Sequence, residues 1–289
     1  MHFHTRAAAL AVLLPLTLAA CQQERAEGAD ADETAEIVQH APANVVTVTG
    51  RDFEFDAPLE IAPGLTTFRF MDEGPEPHHL TVFRLTDGHT MDDFMEALRD
   101  RRPLEGIAVA LGGPNAPGPG GEANATLQME SGDYVLACFI PSPDGVPHIA
   151  KGMVRPLAVR GDAAPAQEVA ADIDITFLDY AFNMPEEVRA GRRTIRVHTH
   201  ESATEAHEVL LVRLAQGKTV EEMNDWIHSL EGPPPGEFLG GVTALDPGES
   251  ATFTANFLPG EYGLLCPIPS VKDGEPHTDK GMMRQFTVR

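Results

Sequence analysis

The stretch "CFIPSPDGVPHIAKGM" (residues 138–153) decides how this chain is read, because "CPIPSVKDGEPHTDKGM" (residues 266–282) says nearly the same thing again. Each opens with a cysteine that ends an apolar run, "YVLAC" or "YGLLC". Each closes with a methionine ahead of another apolar run, "VRPLAV" or "MRQFTV". Working outward, "PEPHHLTVFRL" (75–85) matches "TEAHEVLLVRL" (204–214), and "FEFDAPLEIAPGLTTFRF" (53–70) matches "YAFNMPEEVRAGRRTIRV" (180–197). His78 and His207 stand 129 residues apart, as do His148 and His277, and Met153 and Met282; the cysteines stand 128 apart. A period of that size is two copies of one domain, not a short solenoid repeat.

The copies divide as domain 1 over residues 43–160, a linker rich in Ala and polar residues over 161–171, and domain 2 over 172–289. Within a copy the pattern is short strands. "TTFRF", "LTVFRL", "ATLQM", "DYVLACF" and "VRPLAV" alternate or run apolar, broken by Gly and Pro. The turn signals "APG" at Ala62 and "DPGES" at Asp246 fall between such runs. Strands at this spacing make an antiparallel sandwich, so the fold class is all-β, two tandem β-sandwiches. Each carries one helical insertion: Thr90 with Asp93 and Thr219 with Glu222 read as capping boxes, and Phe94, Met95, Leu98 and Trp226 lie on the apolar faces that follow. Each copy holds a full strand set and its own helix, so the two are expected to fold separately. The "GGPNAPGPGGE" run from Gly112 reads as a Gly/Pro loop.

The N-terminus sets the compartment. Residues 1–20 have a basic start at Arg6 and an Ala-rich apolar run too short for a comfortable membrane span, which reads as a signal peptide. "LAAC" (18–21) resembles a bacterial lipobox, which implies cleavage before Cys21 and lipid on its sulfur, with Gln22 favouring the outer membrane facing the periplasm. Residues 21–42 are polar and acidic and read as a flexible tether. The 289-residue chain has 44 acidic against 21 basic side chains, a net charge of −23. That balance argues against nucleic acid and would steer a basic protein, such as a redox partner, toward this one.

With Cys21 lipidated, Cys138 and Cys266 remain, one per copy, so no disulfide forms inside a domain. A thiolate, two imidazoles and a weak thioether form the blue-copper donor set. The chain supplies it twice in order: His78, Cys138, His148, Met153, and His207, Cys266, His277, Met282. Each copy thereby resembles a cupredoxin of the plastocyanin kind, a resemblance carried by "PHHLTVF" and by "PHIAKGMVRPLAV". It implies a Greek-key sandwich, one copper per domain held by those eight residues near one end, and one-electron transfer. A copper-holding protein without fast redox and a metal-free interaction module are the alternatives. The sequence departs from the family in its Cys–His spacing: nine residues lie between Cys138 and His148, and ten between Cys266 and His277. Their prolines and Asp-Gly step suit a rigid hairpin that returns the histidine to the cysteine. His79 rivals His78, but only His78 has a histidine counterpart. His198 and His200 share a strand face and read as an exposed edge pair. No catalytic triad, carboxylate pair or phosphate loop is present. Two-domain copper nitrite reductases share the architecture but place a histidine beside the cysteine, where this chain has Phe139 and Pro267. The expectation is therefore of a protein that is not an enzyme.

Overall fold

The computed structural model describes residues 44–163 and 170–289. The signal peptide, Cys21 and the tether lie outside the described residues, as does most of the linker. Among the described residues no helix is long and apolar enough to cross a membrane.

The first half runs β1 (Asn44–Arg51), β2 (Glu54–Asp56), β3 (Glu60–Ile61), β4 (Gly64–Asp72), β5 (Thr81–Leu85), α1 (Met91–Arg99), β6 (Ala108–Ala110), β7 (Glu122–Met129), β8 (Gly132–Ala137) and β9 (Val154–Val159). The second runs β10 (Ile173–Leu178), β11 (Ala181–Asn183), β12 (Gly191–Thr199), β13 (His207–Leu214), α2 (Val220–Ser229), β14 (Gly236–Leu245), β15 (Ser250–Phe257), β16 (Gly260–Leu265) and β17 (Met283–Val288). In each half one sheet packs on another, and alternation along the strands fills the space between. The pattern along β7 and β15 is strictly in and out. Phe68, Phe70, Leu127 and Tyr134 fill the first core; Phe177, Tyr262, Leu264 and Val288 fill the second. The Tyr134 hydroxyl returns to the backbone of Glu130, and that of Tyr262 to Leu258, so each large ring is buried with its polar tip satisfied. The tandem Greek-key sandwiches expected from the sequence are what the chain forms.

Both helices sit where the capping boxes place them. Thr90 accepts the Asp93 N–H while the Asp93 carboxylate takes the Thr90 N–H, and Thr219 with Glu222 repeats the arrangement. Phe94 packs on Phe83, ring centroids 5.1 Å apart, and Trp226 packs on Phe238 at 5.7 Å. The helices therefore cover the outer sheets.

One sheet passes through both halves. Its order is β11-β10-β12-β15-β7-β4-β1-β2, so the equivalent strands β7 and β15 meet edge to edge, antiparallel, at Thr126 and Thr252. Two exposed edges are thereby covered. The Asn124 side chain clamps Thr254 across the seam, accepting its N–H at 2.9 Å and donating to its carbonyl at 3.0 Å. The "GGPNAPGPGGE" run is not a free loop: Leu111 bridges Leu245, Pro114 bridges Val242, and the N–H groups of Gly112 and Thr243 bond across the halves at 2.8 and 2.9 Å. Glycine is needed on both sides of the stitch: a Cβ on Gly112 would meet Val242 at 2.7 Å and one on Gly240 would meet Ala123 at 2.7 Å, across the halves, and the next glycines pack against their own half. A Cβ on Gly113 would stand 2.0 Å from the Leu80 carbonyl oxygen, and one on Gly241 would stand 2.1 Å from that of Val209. Sequence composition signals a loop there, but the missing side chains are what let two backbones approach closely enough to pair.

Candidate metal centres

Each site assembles at one rim of its sandwich. Cys138 follows β8 and Cys266 follows β16. His78 lies just ahead of β5, and His207 opens β13. The second histidines arrive on the long loops, which form the hairpins their composition implies. Pro141 bridges Pro147 and Pro269 bridges Pro276. Gly145 and Gly274, each at φ 78°, turn the loop tips. The His148 N–H then bonds the Ile140 carbonyl and the His277 N–H that of Ile268, each at 2.9 Å, so the imidazole comes back beside the sulfur. The extra loop length leaves the donors together.

The ligand atoms of His78, Cys138 and His148 lie within 4.8 Å of one another, and so do those of His207, Cys266 and His277. All six side chains are fully buried. In the first set the two Nδ1 atoms are 2.9 Å apart and the Cys138 sulfur is 3.5 Å from His148 Nδ1. In the second the same distances are 3.1 and 3.4 Å. Met153 and Met282 are buried in the same core, their carbonyls accepting the N–H of Cys138 and Cys266 at 3.1 Å. His79 turns away from its site: its Nε2 accepts the Phe139 N–H at 2.9 Å.

Behind the donors stand residues the sequence reading passed over. Asp52 faces His78 Nε2 at 3.0 Å and Asp179 faces His207 Nε2 at 3.1 Å. Glu76 faces His148 Nε2 at 3.0 Å and Glu205 faces His277 Nε2 at 3.4 Å. Phe53 packs edge-on against His148 at 5.1 Å and Tyr180 against His277 at 5.2 Å. Asp52–Phe53 and Asp179–Tyr180 are the two-residue turns of the β1–β2 and β10–β11 hairpins, and both aromatic residues sit at positive φ, 69° and 63°. An aromatic residue there is uncommon, and it recurs at equivalent places in the two halves, each time against the second histidine. The signal was in the sequence: Glu76 and Glu205 each precede the first histidine by two residues, and both hairpins carry Asp and then an aromatic.

The electrostatics fit a cation. Burial lowers the pKa values of His78, His207 and His277, an effect the facing carboxylates oppose. Burial pushes the Cys138 thiol up to about 12 and the Cys266 thiol well above its ordinary value. A carboxylate within hydrogen-bond reach of Nε2 in His78, His148 and His207 favours the ring proton there, as around metal-bound histidines, and Glu205 faces His277 Nε2 in the same place at 3.4 Å. Two Nδ1 lone pairs then point at each other beside a thiol. Neutral rings in that tautomer repel; a cation between them satisfies all three donors. Imidazole and thiolate together suit copper.

No family model matches the chain, and no curated protein matches it. Solved structures do. Auracyanin from Roseiflexus castenholzii is 18% identical, the match covering 42% of this chain and 100% of that one, with a TM-score of 0.28. A blue copper oxidase from Nitrosomonas europaea is 14% identical over 86% of each chain, TM-score 0.26. A copper-containing nitrite reductase from Thermus scotoductus SA-01 is 16% identical over 86% of this chain and 68% of that one, TM-score 0.24. The last two are enzymes, which corrects the expectation that this chain is not one: the fold is shared by carriers and enzymes. The fold reading rests on the chain's own strand order and its twice-repeated donors. The chain is a tandem cupredoxin in fold, with a His, Cys and His set able to hold copper in each half.

Proposed function

We propose that this is an exported copper protein, lipid-anchored through Cys21 to the cell envelope and facing the periplasm, that binds one copper per half and passes single electrons. The observation that carries the reading is the convergence of His78, Cys138 and His148, and of His207, Cys266 and His277, each within 4.8 Å. Met153 and Met282 are assigned as the weak fourth donors. Bound copper supplies a one-electron couple. The residues of this chain do the rest: Asp52, Asp179, Glu76 and Glu205 fix the imidazole tautomers, and the Pro-rich hairpins hold the second histidine to the sulfur. Prolines restrict the open loop, so less entropy is lost when the site closes. Burial keeps water from the donors and strengthens their charge interactions. The net charge of −23 favours a basic redox partner.

One observation favours a second reading, a copper-holding protein without fast redox. His148 and His277 are fully buried, each covered by a carboxylate and an aromatic ring, so neither offers an open edge to a docked partner. Loading the purified protein with copper separates the readings. Two equivalents and a strong thiolate-to-Cu(II) absorption band support electron transfer. Tight, colourless Cu(I) binding without a reversible couple supports copper holding. Absence of stoichiometric copper sinks both and leaves a metal-free module. Membrane fractionation of a Cys21→Ser variant tests the anchor, which is lost if the protein becomes soluble.

A further inference from the structure

The two sites have the same donors but not the same closure. We infer that the second-half site is latched shut and the first-half site is the one through which metal enters and leaves. The inference rests on copper binding at both sites.

The latch is Glu205. Its side chain is 3% exposed. Its oxygens accept the Tyr180 hydroxyl at 2.7 Å, the Ser270 hydroxyl at 3.1 Å and the Val271 N–H at 2.8 Å, and face His277 Nε2 at 3.4 Å. Ser270, Val271 and His277 all belong to the Cys266–His277 loop. Glu205 belongs to the approach to β13, and Tyr180 to the hairpin turn opposite. One carboxylate therefore ties three chain segments together over the second histidine. The loop's one extra residue, Lys272, adds a further strap, its Nζ donating to Thr204 Oγ1 at 2.8 Å.

The first half lacks these ties for reasons written in single residues. Phe53 stands where Tyr180 does and has no hydroxyl. Pro143 stands where Val271 does and has no N–H. Ser142, the counterpart of Ser270, is buried beside Glu76 and helps to lower its carboxyl, but its hydroxyl is not aligned on that carboxylate as Ser270 is on Glu205. Glu76 is left with His148 Nε2 at 3.0 Å, and its side chain is 27% exposed. Features common to both halves do not explain a difference: Lys151 pairs with Asp144 over Phe53, as Lys280 pairs with Asp273 over Tyr180.

Metal release requires the second histidine to leave, because its Nδ1 lies between the sulfur and the first histidine. In the second half that motion breaks the two hydrogen bonds from the loop, Ser270 and Val271, to a charged carboxylate that Tyr180 holds in place, each of the stronger class. Release from the second site should be slower by about tenfold to a hundredfold, the scale of one or two such bonds.

The test is copper release from the full chain. The protein is loaded with Cu(I), excess chelator is added, and the coloured chelate is followed. Wild type should release copper in two phases of equal amplitude. Cys266→Ser, which keeps only the first site, should show the fast phase, and Cys138→Ser the slow one. Tyr180→Phe should speed the slow phase, and Phe53→Tyr with Pro143→Val should slow the fast one, while the metal-free melting temperatures stay near wild type. A single phase in wild type, or equal rates from the two single-site proteins, overturns the inference and leaves the copper reading intact. No copper bound by wild type overturns both.

Discussion

In the first half the residue after the first histidine is His79, and the residue after the cysteine is Phe139; the second half has Glu208 and Pro267 in those places. The two changes belong together. His79 Nε2 accepts the Phe139 N–H at 2.9 Å, a bond that ties the strand carrying the first ligand to the cysteine. Proline has no N–H, so the second half needs no acceptor there. Both side chains are buried beside Asn115 at the seam between halves. Burial drives His79 down to about 3 and Glu208 up to about 8, so at neutral pH both are uncharged. Different chemistry thus meets one requirement, a neutral group at the seam, while the backbone partner decides which side chain serves. The Glu205 latch follows the same logic: the donors stay, and the residues that hold them diverge.

The largest effect expected from breaking the comparison is at the sulfur. Cys138→Ser and Cys266→Ser should each remove one equivalent of copper, and the double variant should bind none, measured as metal per protein after gel filtration. Serine is close in size, so the fold should survive. Full stoichiometry in the double variant would remove both cysteines from the sites.

Next comes the seam. Gly113→Ala and Gly241→Ala each force a Cβ into a backbone carbonyl at a positive φ, 144° and 119°. Either should cost about 3 kcal/mol or more, read in a thermal melt. The carbonyls belong to Leu80 and Val209, each two residues past a first histidine, so copper affinity in the same half should fall too. A variant that melts like wild type would mean that the close approach to Leu80 or Val209 does not need glycine.

The duplicated donors were legible because repetition multiplies weak signals. A lone cysteine at a strand end says little, yet the same order of His, Cys, His and Met twice over says a great deal. The strands and capped helices were legible for local reasons, alternation and Thr followed three residues later by an acid. The seam was not. Its signal is the absence of side chains in "LGG" at 111–113 and 239–241, and composition reads glycine as a turn before it reads close approach. Glu76, Glu205 and the turn aromatics were present in the aligned stretches, but an acid on a chain of net charge −23 carries little weight until the fold puts it against a ring nitrogen. Non-local contact is what the sequence hides.

A moderate effect sharpens the His79 and Glu208 contrast. His79→Ala leaves the Phe139 N–H without its acceptor and should cost about 1–3 kcal/mol. His79→Asn should restore much of that. Glu208→Gln replaces a neutral carboxyl by a neutral amide of nearly the same shape, and should change stability by less than about 1 kcal/mol. Equal losses in His79→Ala and Glu208→Gln, by thermal melts of the metal-free protein at neutral pH, would show that Phe139 and Pro267 do not set the difference.

The smallest effect concerns a carboxylate that only one half has. Asp246 Oδ2 accepts the Ala110 N–H at 2.9 Å, and the Asp246 N–H returns to the Ala110 carbonyl at 2.9 Å, closing the seam at one end. Gly118 stands at the equivalent place in the first half, so this contact has no twin. Burial raises the Asp246 carboxyl above its ordinary 3.8, the Ala110 N–H opposes that rise, and Glu105 adds to it. Glu249 is raised in the same way, mainly by burial. The folded state therefore binds the proton more tightly than the unfolded one. Ionising Asp246 costs stability at neutral pH, and the cost fades as pH falls through the raised folded value and is gone below the unfolded one. Asp246→Asn keeps the acceptor and removes the charge. It should stabilise the metal-free protein at pH 7 by about 0.5 kcal/mol, the scale of a mild substitution near the surface, and by nothing at pH 3. Melts across that range check the sign. A variant less stable at pH 7, or a gain that persists at pH 3, would show that the charge itself strengthens the bond to Ala110 and that burial is not what sets this group's cost.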